Sequence, residues 1–222
     1  MRLLVHVEGP TEELFVNQIL SEALRDKGFD SVKARRVGDV RHRNRGGIRQ
    51  WSLVRKEIHA HLADDTAAYA TTMVDYYALP PSWPGRLDAP NVPVAGRARY
   101  VEEAVLSDFS DFSHTGGRFL PYVTLHEFEG LLFSDCDALA MSLDALHIRD
   151  DLKNVRDVYE SPEHINDNYE TAPSRRITNL LPSYEKVLFG NMAALEMGIE
   201  AIRNQCPHFA NWLDRLENLT SN

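Results

Sequence analysis

The chain of 222 residues has little cysteine and no long apolar segment. Its two cysteines, Cys136 and Cys206, lie far apart and in no metal-binding spacing, which favours reduced thiols over a disulfide framework. No apolar run reaches the length needed to cross a bilayer, and His6 and Glu8 interrupt the first one, so no signal peptide is predicted. We therefore expect a soluble cytoplasmic protein.

The sequence also lacks the signatures of several enzyme classes. It contains no nucleophile elbow, Walker loop or glycine-rich dinucleotide motif, so serine and cysteine nucleophiles have no support. Basic residues are fewer than acidic ones: the chain has 24 Lys and Arg and 33 Asp and Glu, which gives a net charge of -9. A protein that is basic all over is excluded, and nucleic-acid binding would require a local basic patch.

What is present is an alternation of predicted strands and helices. Apolar periodicity predicts strands at 3–7, 31–37, 69–74 and 119–125, and helices at 12–27, 48–62 and 99–109. Helical crossovers between strands favour a parallel sheet, so we expect an α/β fold with flanking helices. Pro121 predicts an edge position or a bulge, and the proline-rich segment 78–97 predicts an irregular loop or flap.

The second part of the chain has a different pattern. Residues 135–222 are predicted to be helical, with an interruption around 161–174 and two closing helices at 184–203 and 207–219. We expect an α/β part over residues 1–134 and a helical C-terminal part over 135–222, packed together as one compact unit.

The stretch from Leu3 to Glu13 predicts a buried strand, an abrupt turn and a helix. Gly9 predicts a tight turn, and Pro10 suits the first helical position. Glu8 lies at the carboxyl end of the strand, where open α/β sheets place their chemistry, and Glu12 follows one turn later. A functional carboxylate and an ordinary strand end with capping acids are both open interpretations.

Acids follow three of the predicted strands: Glu8, Asp75, and Glu127 with Glu129. In a parallel sheet these strand ends lie along one edge, where converging carboxylates repel each other unless a cation neutralises them. Oxygen ligands favour Mg²⁺ or Mn²⁺, which would activate water and stabilise charge in phosphoryl transfer. The alternative, that each acid caps a helix, is fair for Glu127 and Glu129 but weaker for Asp75, which precedes the proline-rich loop.

A cluster of positive charge lies between residues 33 and 49. Its seven basic residues are Lys33, Arg35, Arg36, Arg41, Arg43, Arg45 and Arg49, with Asp39 as the one acid among them. Arginine forks suit phosphate oxygens, so we predict that this arginine loop contacts a nucleic-acid backbone. The alternative is an exposed loop that docks on an acidic protein surface.

Four further side chains are candidates for the same site. Arg175, Arg176 and Lys186 could meet substrate phosphate, although solvated arginines and a surface lysine are the plainer interpretation. His126, beside Glu127, could transfer a proton, but a single histidine is weak evidence.

These residues resemble a known family. The segment from Val7 to Glu12 resembles the first motif of Toprim domains, which occur in topoisomerases, primases and overcoming-lysogenization-defect (OLD) nucleases. Nearly the whole chain is similar to a bacterial family of Toprim-like proteins of uncharacterised function, through the segments 8–12, 72–80, 126–133, 162–166, 171–176 and 206–209.

The resemblance implies a Toprim-like, Rossmannoid sheet in which Glu8 and Asp75 hold Mg²⁺. Toprim sites use Asp-x-Asp on the later strand, but the second position here is Tyr77, so Glu127 or Glu129 becomes the candidate for the missing oxygen. The resemblance also implies an AAA or SMC-like ATPase encoded nearby and a role in defence against phage or plasmid DNA.

Together these observations predict a metal-dependent nuclease, with Glu12 in or just behind the set of metal ligands. Two alternatives stay open: a non-catalytic regulatory or binding subunit of an ATPase complex, and a phosphohydrolase that acts on a small nucleotide.

Overall fold

A parallel sheet of five strands lies at the centre of the protein. In this computed structural model, which describes residues 1–37, 48–112, 117–166 and 169–220, the strands are β1 (Arg2–Val7), β2 (Ser31–Arg36), β3 (Ala68–Asp75), β4 (Phe119–Leu120) and β5 (Val123–Thr124). They are ordered β2-β1-β3-β4, and β5 also pairs with β3. Every pairing is parallel, so the predicted α/β fold with a parallel sheet is confirmed.

Ten α-helices flank the sheet or follow it in the described part of the chain. They are α1 (Pro10–Phe15), α2 (Ser21–Arg25), α3 (Trp51–Asp64), α4 (Arg97–Phe112), α5 (Phe128–Leu131), α6 (Cys136–Ser142), α7 (Arg149–Asp157), α8 (Pro173–Leu180), α9 (Lys186–Gln205) and α10 (Pro207–Glu217). Among these helices, none combines the length and the apolar character that a membrane span requires.

Three predicted helices differ in detail from the observed ones. The helix predicted at 12–27 is two α-helices, α1 and α2, joined by the π-helical segment Val16–Leu20. Helix α3 begins at Trp51 rather than at residue 48, because Gln50 has an extended backbone. Helix α9 contains a break at Gly198, whose φ of 73° lies in the left-handed region that glycine tolerates best.

The strand predicted at 119–125 is divided into β4 and β5. Pro121 cannot donate a backbone hydrogen bond, and the adjacent Tyr122 bonds to a side chain of β3 instead. The Thr72 hydroxyl accepts the N–H of Tyr122 at 2.9 Å and donates to the carbonyl of the same residue at 2.8 Å. The predicted edge position is confirmed, because β4 is the last strand of the sheet, and Thr72 bridges the break at Pro121.

Two apolar cores cover the two faces of the sheet. Alternate residues of β3 point to opposite faces, so Ala70 and Val74 join one core and Met73 the other. The first core also contains Val54, Ile58, Val101 and Val105 of α3 and α4. The second contains Leu3, Val5 and Val7 of β1 together with Phe15, Ile202, Phe209 and Trp212. Residues from both sides of position 135 therefore share one core.

The proline-rich segment after β3 is packed against the body of the protein. Trp83 is buried, its indole N–H donates to the carbonyl of Arg49 at 3.1 Å, and its ring centroid lies 4.9 Å from that of Trp51. This segment is irregular, as predicted, and the buried indole of Trp83 holds part of it against the body of the protein in this structure.

Candidate metal site at the sheet edge

Five carboxylates meet at the carboxyl edge of the sheet. Val7 pairs with Met73, so Glu8 and Asp75 leave neighbouring strands within about one residue of each other. Asp75 itself pairs with Thr124, three residues before Glu127. The pKa of Asp75 is raised well above its usual value by burial and then by the charges of Glu8, Glu12, Glu129 and Glu127. The structure thus brings together all the predicted acids.

Glu12 is held in place by the turn that precedes its helix. Its Oε2 atom accepts the backbone N–H of Gly9 at 2.9 Å, which caps the start of α1. The φ of Gly9 is -142°, an extended conformation open to any residue, so the backbone conformation of the turn does not itself require glycine. A Cβ atom there would lie 3.3 Å from Glu12 Oε2, and the missing side chain therefore permits the close approach of the carboxylate.

Glu8 and Asp75 each contribute an oxygen without a partner. Glu8 Oε2 and Asp75 Oδ1 are buried and accept no hydrogen bond from the described residues. Burial, followed by the charge of Glu12, raises the pKa of Glu8 to about 8. The charge of Lys186 opposes this rise at Glu8 and also interacts with Asp75, but one cation does not balance five buried or partly buried acids, so Glu8 and Asp75 must either hold protons or bind a further cation.

The other two acids are balanced by a lysine from the C-terminal helices. Lys186 Nζ lies 3.3 Å from Glu129 Oε1 and 3.9 Å from Glu127 Oε1. Glu129 is buried, and burial raises its pKa to about 7 although Lys186 opposes the shift. Glu127 Oε2 also accepts the backbone N–H of Ser174 at 3.2 Å. Lys186, predicted as a phosphate contact, lies against the acids and neutralises part of their charge.

The residues present fit a hard divalent cation with several water ligands. Among the described residues, no three His, Cys, Asp or Glu side chains already form a metal-coordinating group. Mg²⁺, however, is commonly bound through one or two carboxylates and keeps several waters. The orphaned oxygens of Glu8 and Asp75 supply two such ligands, whereas Glu12, Glu127 and Glu129 already have partners.

The predicted arginine loop can be placed only at its two ends. Arg41, Arg43 and Arg45 lie outside the described residues. Arg35 and Arg36 are exposed on β2, and Arg36 Nε lies 3.1 Å from Glu13 Oε2. Arg175 is exposed on α8. These three arginines remain accessible for contact with a phosphate backbone.

Arg49 and Arg176, which are also predicted phosphate contacts, are only partly exposed and bind nearby groups of the protein. Arg49 donates from Nε to the carbonyl of Val37 at 2.9 Å and from Nη2 to the carboxylate of Glu57. Arg176 donates from Nη2 to the hydroxyl of Tyr159 at 2.7 Å and from Nε to a backbone carbonyl. Both guanidinium groups therefore fasten loops to helices in this structure.

Sequence reasoning missed two contributors to the acid site. The backbone N–H of Ser174, at the start of α8, donates to Glu127, whereas the sequence predicted a role only for the two arginines that follow it. The hydroxyl of Tyr184 is buried without a hydrogen bond to a described residue, and its pKa is raised by burial and then by Glu129 and Glu127. Neither is visible in the sequence, because each depends on how the C-terminal helices pack on the sheet.

Comparison with known proteins gives one match. The family model "Domain of unknown function (DUF4276)" matches residues 7–217, which include every acid of the site. No curated protein and no solved structure matches the chain.

Proposed function

The chain belongs to the DUF4276 family, and from the chemistry of its acid site we propose that it is a metal-dependent nuclease. It would hydrolyse nucleic-acid phosphodiesters with Mg²⁺ or Mn²⁺. The observation that carries the proposal is the pair of buried, unpartnered oxygens of Glu8 and Asp75 at the carboxyl edge of a parallel sheet. The resemblance of the segment around Glu8 to the first Toprim motif supports the same activity.

Each part of the site has a separate task in this proposal. Glu8 and Asp75 would hold the cation, which when bound polarises the phosphoryl group and lowers the pKa of a water ligand. Glu12, which accepts the N–H of Gly9, is held close enough to Glu8 to raise the pKa of that carboxyl. Lys186, half exposed beside Glu129, carries a positive charge toward which a phosphate can be drawn.

The substrate backbone would be held by exposed basic residues outside the acid site. Arg35, Arg36 and Arg175 are accessible, and the proposal assigns the same task to Arg41, Arg43 and Arg45 of the arginine loop. Binding through phosphates would be tolerant of sequence and would weaken as salt rises. DNA is the favoured substrate, in the setting of defence against phage or plasmid DNA that the family resemblance suggests.

A cleavage assay with isosteric variants tests the proposal. We expect the purified chain to nick supercoiled plasmid or to cut a labelled oligonucleotide in Mn²⁺ or Mg²⁺ and not in EDTA. Glu8→Gln and Asp75→Asn should each lower the rate at least about 100-fold, because the metal loses a charged ligand. Asp137→Asn, which changes an exposed acid paired with Lys153, should cleave like the wild type.

The cleavage assay, combined with calorimetry of Mn²⁺ binding, distinguishes a wrong site from a wrong substrate. Cleavage that survives both Glu8→Gln and Asp75→Asn would refute this site. Mn²⁺ binding that depends on Glu8, accompanied by hydrolysis of free nucleotides and no cleavage of DNA or RNA, would indicate a small-nucleotide phosphohydrolase instead.

A second candidate function is that of a non-catalytic subunit in an ATPase complex, with an AAA or SMC-like ATPase as the partner. An apolar stripe on α9 favours it: Val187, Leu188, Met192 and Leu195 are each at least 40% exposed. Stripes of this kind are typical of surfaces that bind proteins. Co-purification with a neighbour-encoded ATPase that Leu188→Glu abolishes, together with no metal binding, would favour this function over the nuclease.

A further inference from the structure

An exposed aromatic ring stands at the edge of the acid site. Tyr77 lies two residues beyond Asp75, in the 3₁₀ turn Tyr76–Ala78 that follows β3, and 41% of the residue is exposed. A tyrosine ring offers a large apolar surface to solvent, and such rings are enriched where ligands bind. The ring is therefore partly exposed to solvent, in the turn that directly follows Asp75.

The surroundings of Tyr77 fix the position of its ring. Its centroid lies 5.3 Å from the ring of His126, which is buried and immediately precedes Glu127. Tyr77 thus follows Asp75 in the chain, and its ring lies against that of the residue that precedes Glu127. A sugar–phosphate backbone bound at the carboxylates would bring a nucleobase close to this ring.

The turn that carries Tyr77 is held in place by its buried neighbour, Tyr76. The neighbouring Tyr76 is buried, and the guanidinium carbon of Arg86 lies 4.3 Å from the centroid of its ring. Arg86 also donates to the hydroxyl of Tyr76 at 3.2 Å. Because Tyr76 holds the backbone of the turn, binding would require little ordering of Tyr77, and less of the stacking energy would be lost as entropy.

We propose that Tyr77 stacks on an unpaired nucleobase next to the bound phosphate, so that the substrate is single-stranded nucleic acid. The proposal rests on the proposed nuclease function. Every base has an aromatic face, so stacking is tolerant of sequence. A base inside a duplex is already stacked and must be extruded before it can reach a protein ring.

The test is binding without cleavage. Fluorescence anisotropy would follow a fluorescein-labelled 12-nucleotide strand, either alone or annealed to its complement as a fully paired duplex, in Ca²⁺ or EDTA. Stacking contributes about 1–3 kcal/mol per base, so Tyr77→Ala should weaken single-strand binding about 5- to 150-fold. It should leave duplex binding unchanged, and Tyr77→Phe should keep single-strand affinity because the ring remains.

Two further measurements keep the result specific. A 2-aminopurine base in the strand should be quenched on binding to the wild type and Tyr77→Phe, but not to Tyr77→Ala. Tyr100→Ala is the matched control, since it removes a ring that is 38% exposed on α4. The thermal midpoint of each variant would verify folding.

Four outcomes distinguish the inference from the proposed function. Unchanged single-strand affinity in Tyr77→Ala, or an equal loss in Tyr77→Phe, overturns the stacking role even if the Glu8-dependent cleavage is present. Single-strand binding that depends on the ring, without any cleavage, supports stacking and refutes the nuclease. A wild-type chain that binds neither probe overturns both.

Discussion

Lys186 Nζ lies 3.3 Å from Oε1 of Glu129 and connects the first turn of α9 with the short helix α5. This contact makes the acid site depend on both parts of the chain. The strand ends supply the carboxylates, whereas the counter-charge comes from a helix that begins more than 50 residues after Glu129. A cation held by Glu8 and Asp75 would therefore bind in a site whose negative charge Lys186 already reduces.

Replacement of Lys186 by methionine is expected to destabilise the metal-free protein. The substitution leaves buried Glu129 without its counter-charge, at a cost of about 1–2 kcal/mol because the lysine is half exposed. Thermal denaturation in EDTA at pH 8 would measure the loss, and Mn²⁺ should restore more stability to Lys186→Met than to the wild type.

Lys153→Met serves as the matched control for this prediction. Lys153 is 42% exposed, but its partner Asp137 is 56% exposed, so the pair should contribute at most about 0.5–1 kcal/mol. An equal loss of stability in the two variants would show that Lys186 does not neutralise a buried site.

The acids of the site could be predicted from the sequence because strand ends fix their location. Glu8, Asp75 and Glu127 follow strands of one parallel sheet, and topology alone then brings them to one edge. The position of Lys186 could not be predicted, because it depends on how α9 packs against α1, α5 and α6. No periodicity in the sequence encodes that contact.

The metal-free protein should lose stability as the pH rises from 6 to 8. The pKa of Glu8 is raised to about 8 and that of Glu129 to about 7, from an ordinary value of 4.5. The folded state therefore keeps protons that the unfolded chain has already lost, and this stabilisation disappears as the pH passes the folded pKa values. We expect a decrease of about 2–4 kcal/mol in the free energy of unfolding over this interval.

Urea denaturation in EDTA at pH 6, 7 and 8 measures this dependence. Glu8→Gln removes one of the titrating groups, so its stability should fall less steeply and should exceed that of the wild type at pH 8. Saturating Mn²⁺ should reduce the decrease in the wild type, because ionised carboxylates bind the cation. A wild-type protein that is equally stable at pH 6 and pH 8 in EDTA contradicts the prediction.

His6 should produce the opposite dependence at lower pH. It is buried in β1, neither ring nitrogen has a hydrogen-bond partner among the described residues, and burial lowers its pKa from 6.5 to about 3. The unfolded chain therefore takes up the proton first, and stability falls as the pH decreases from 6.5 toward 3. Replacement by leucine should stabilise the protein by about 1–3 kcal/mol at pH 5 and by less at pH 8.

Denaturation of His6→Leu at the two pH values provides the measurement, with the exposed His147→Leu as the control. A gain that is the same at pH 5 and pH 8 would mean that His6 does not titrate differently in the folded and unfolded states. A loss at both values would indicate that leucine does not fit the space between β1 and α3.

The arginines show that one charge pattern in a sequence can include side chains with different surroundings in the fold. Arg35 and Arg49 belong to the same basic segment, yet Arg35 is exposed, whereas Arg49 binds the carbonyl of Val37 and the carboxylate of Glu57. Charge density predicted one common role for them. The structure separates the roles because backbone carbonyls and nearby acids compete with a ligand for guanidinium groups.

Alanine substitutions at these two positions should therefore have different effects. Arg35→Ala should weaken nucleic-acid binding and reduce the slope of log affinity against log salt by about 0.7–0.9, because one phosphate contact is lost. It should leave the stability within about 0.5 kcal/mol of the wild type. Arg49→Ala should instead lower the free energy of unfolding by about 1–3 kcal/mol, because it frees a carbonyl and a partly buried carboxylate.

Anisotropy titrations at several salt concentrations and urea denaturation measure the two effects. Arg99→Ala is a suitable control for charge alone, since Arg99 is 77% exposed on α4 and pairs with Glu103. If Arg35→Ala and Arg99→Ala reduce affinity equally, a general loss of positive charge explains the effect and Arg35 contacts no phosphate. If Arg49→Ala reduces the salt slope without a change in stability, the guanidinium group of Arg49 binds substrate, and its contacts with Val37 and Glu57 do not stabilise the protein.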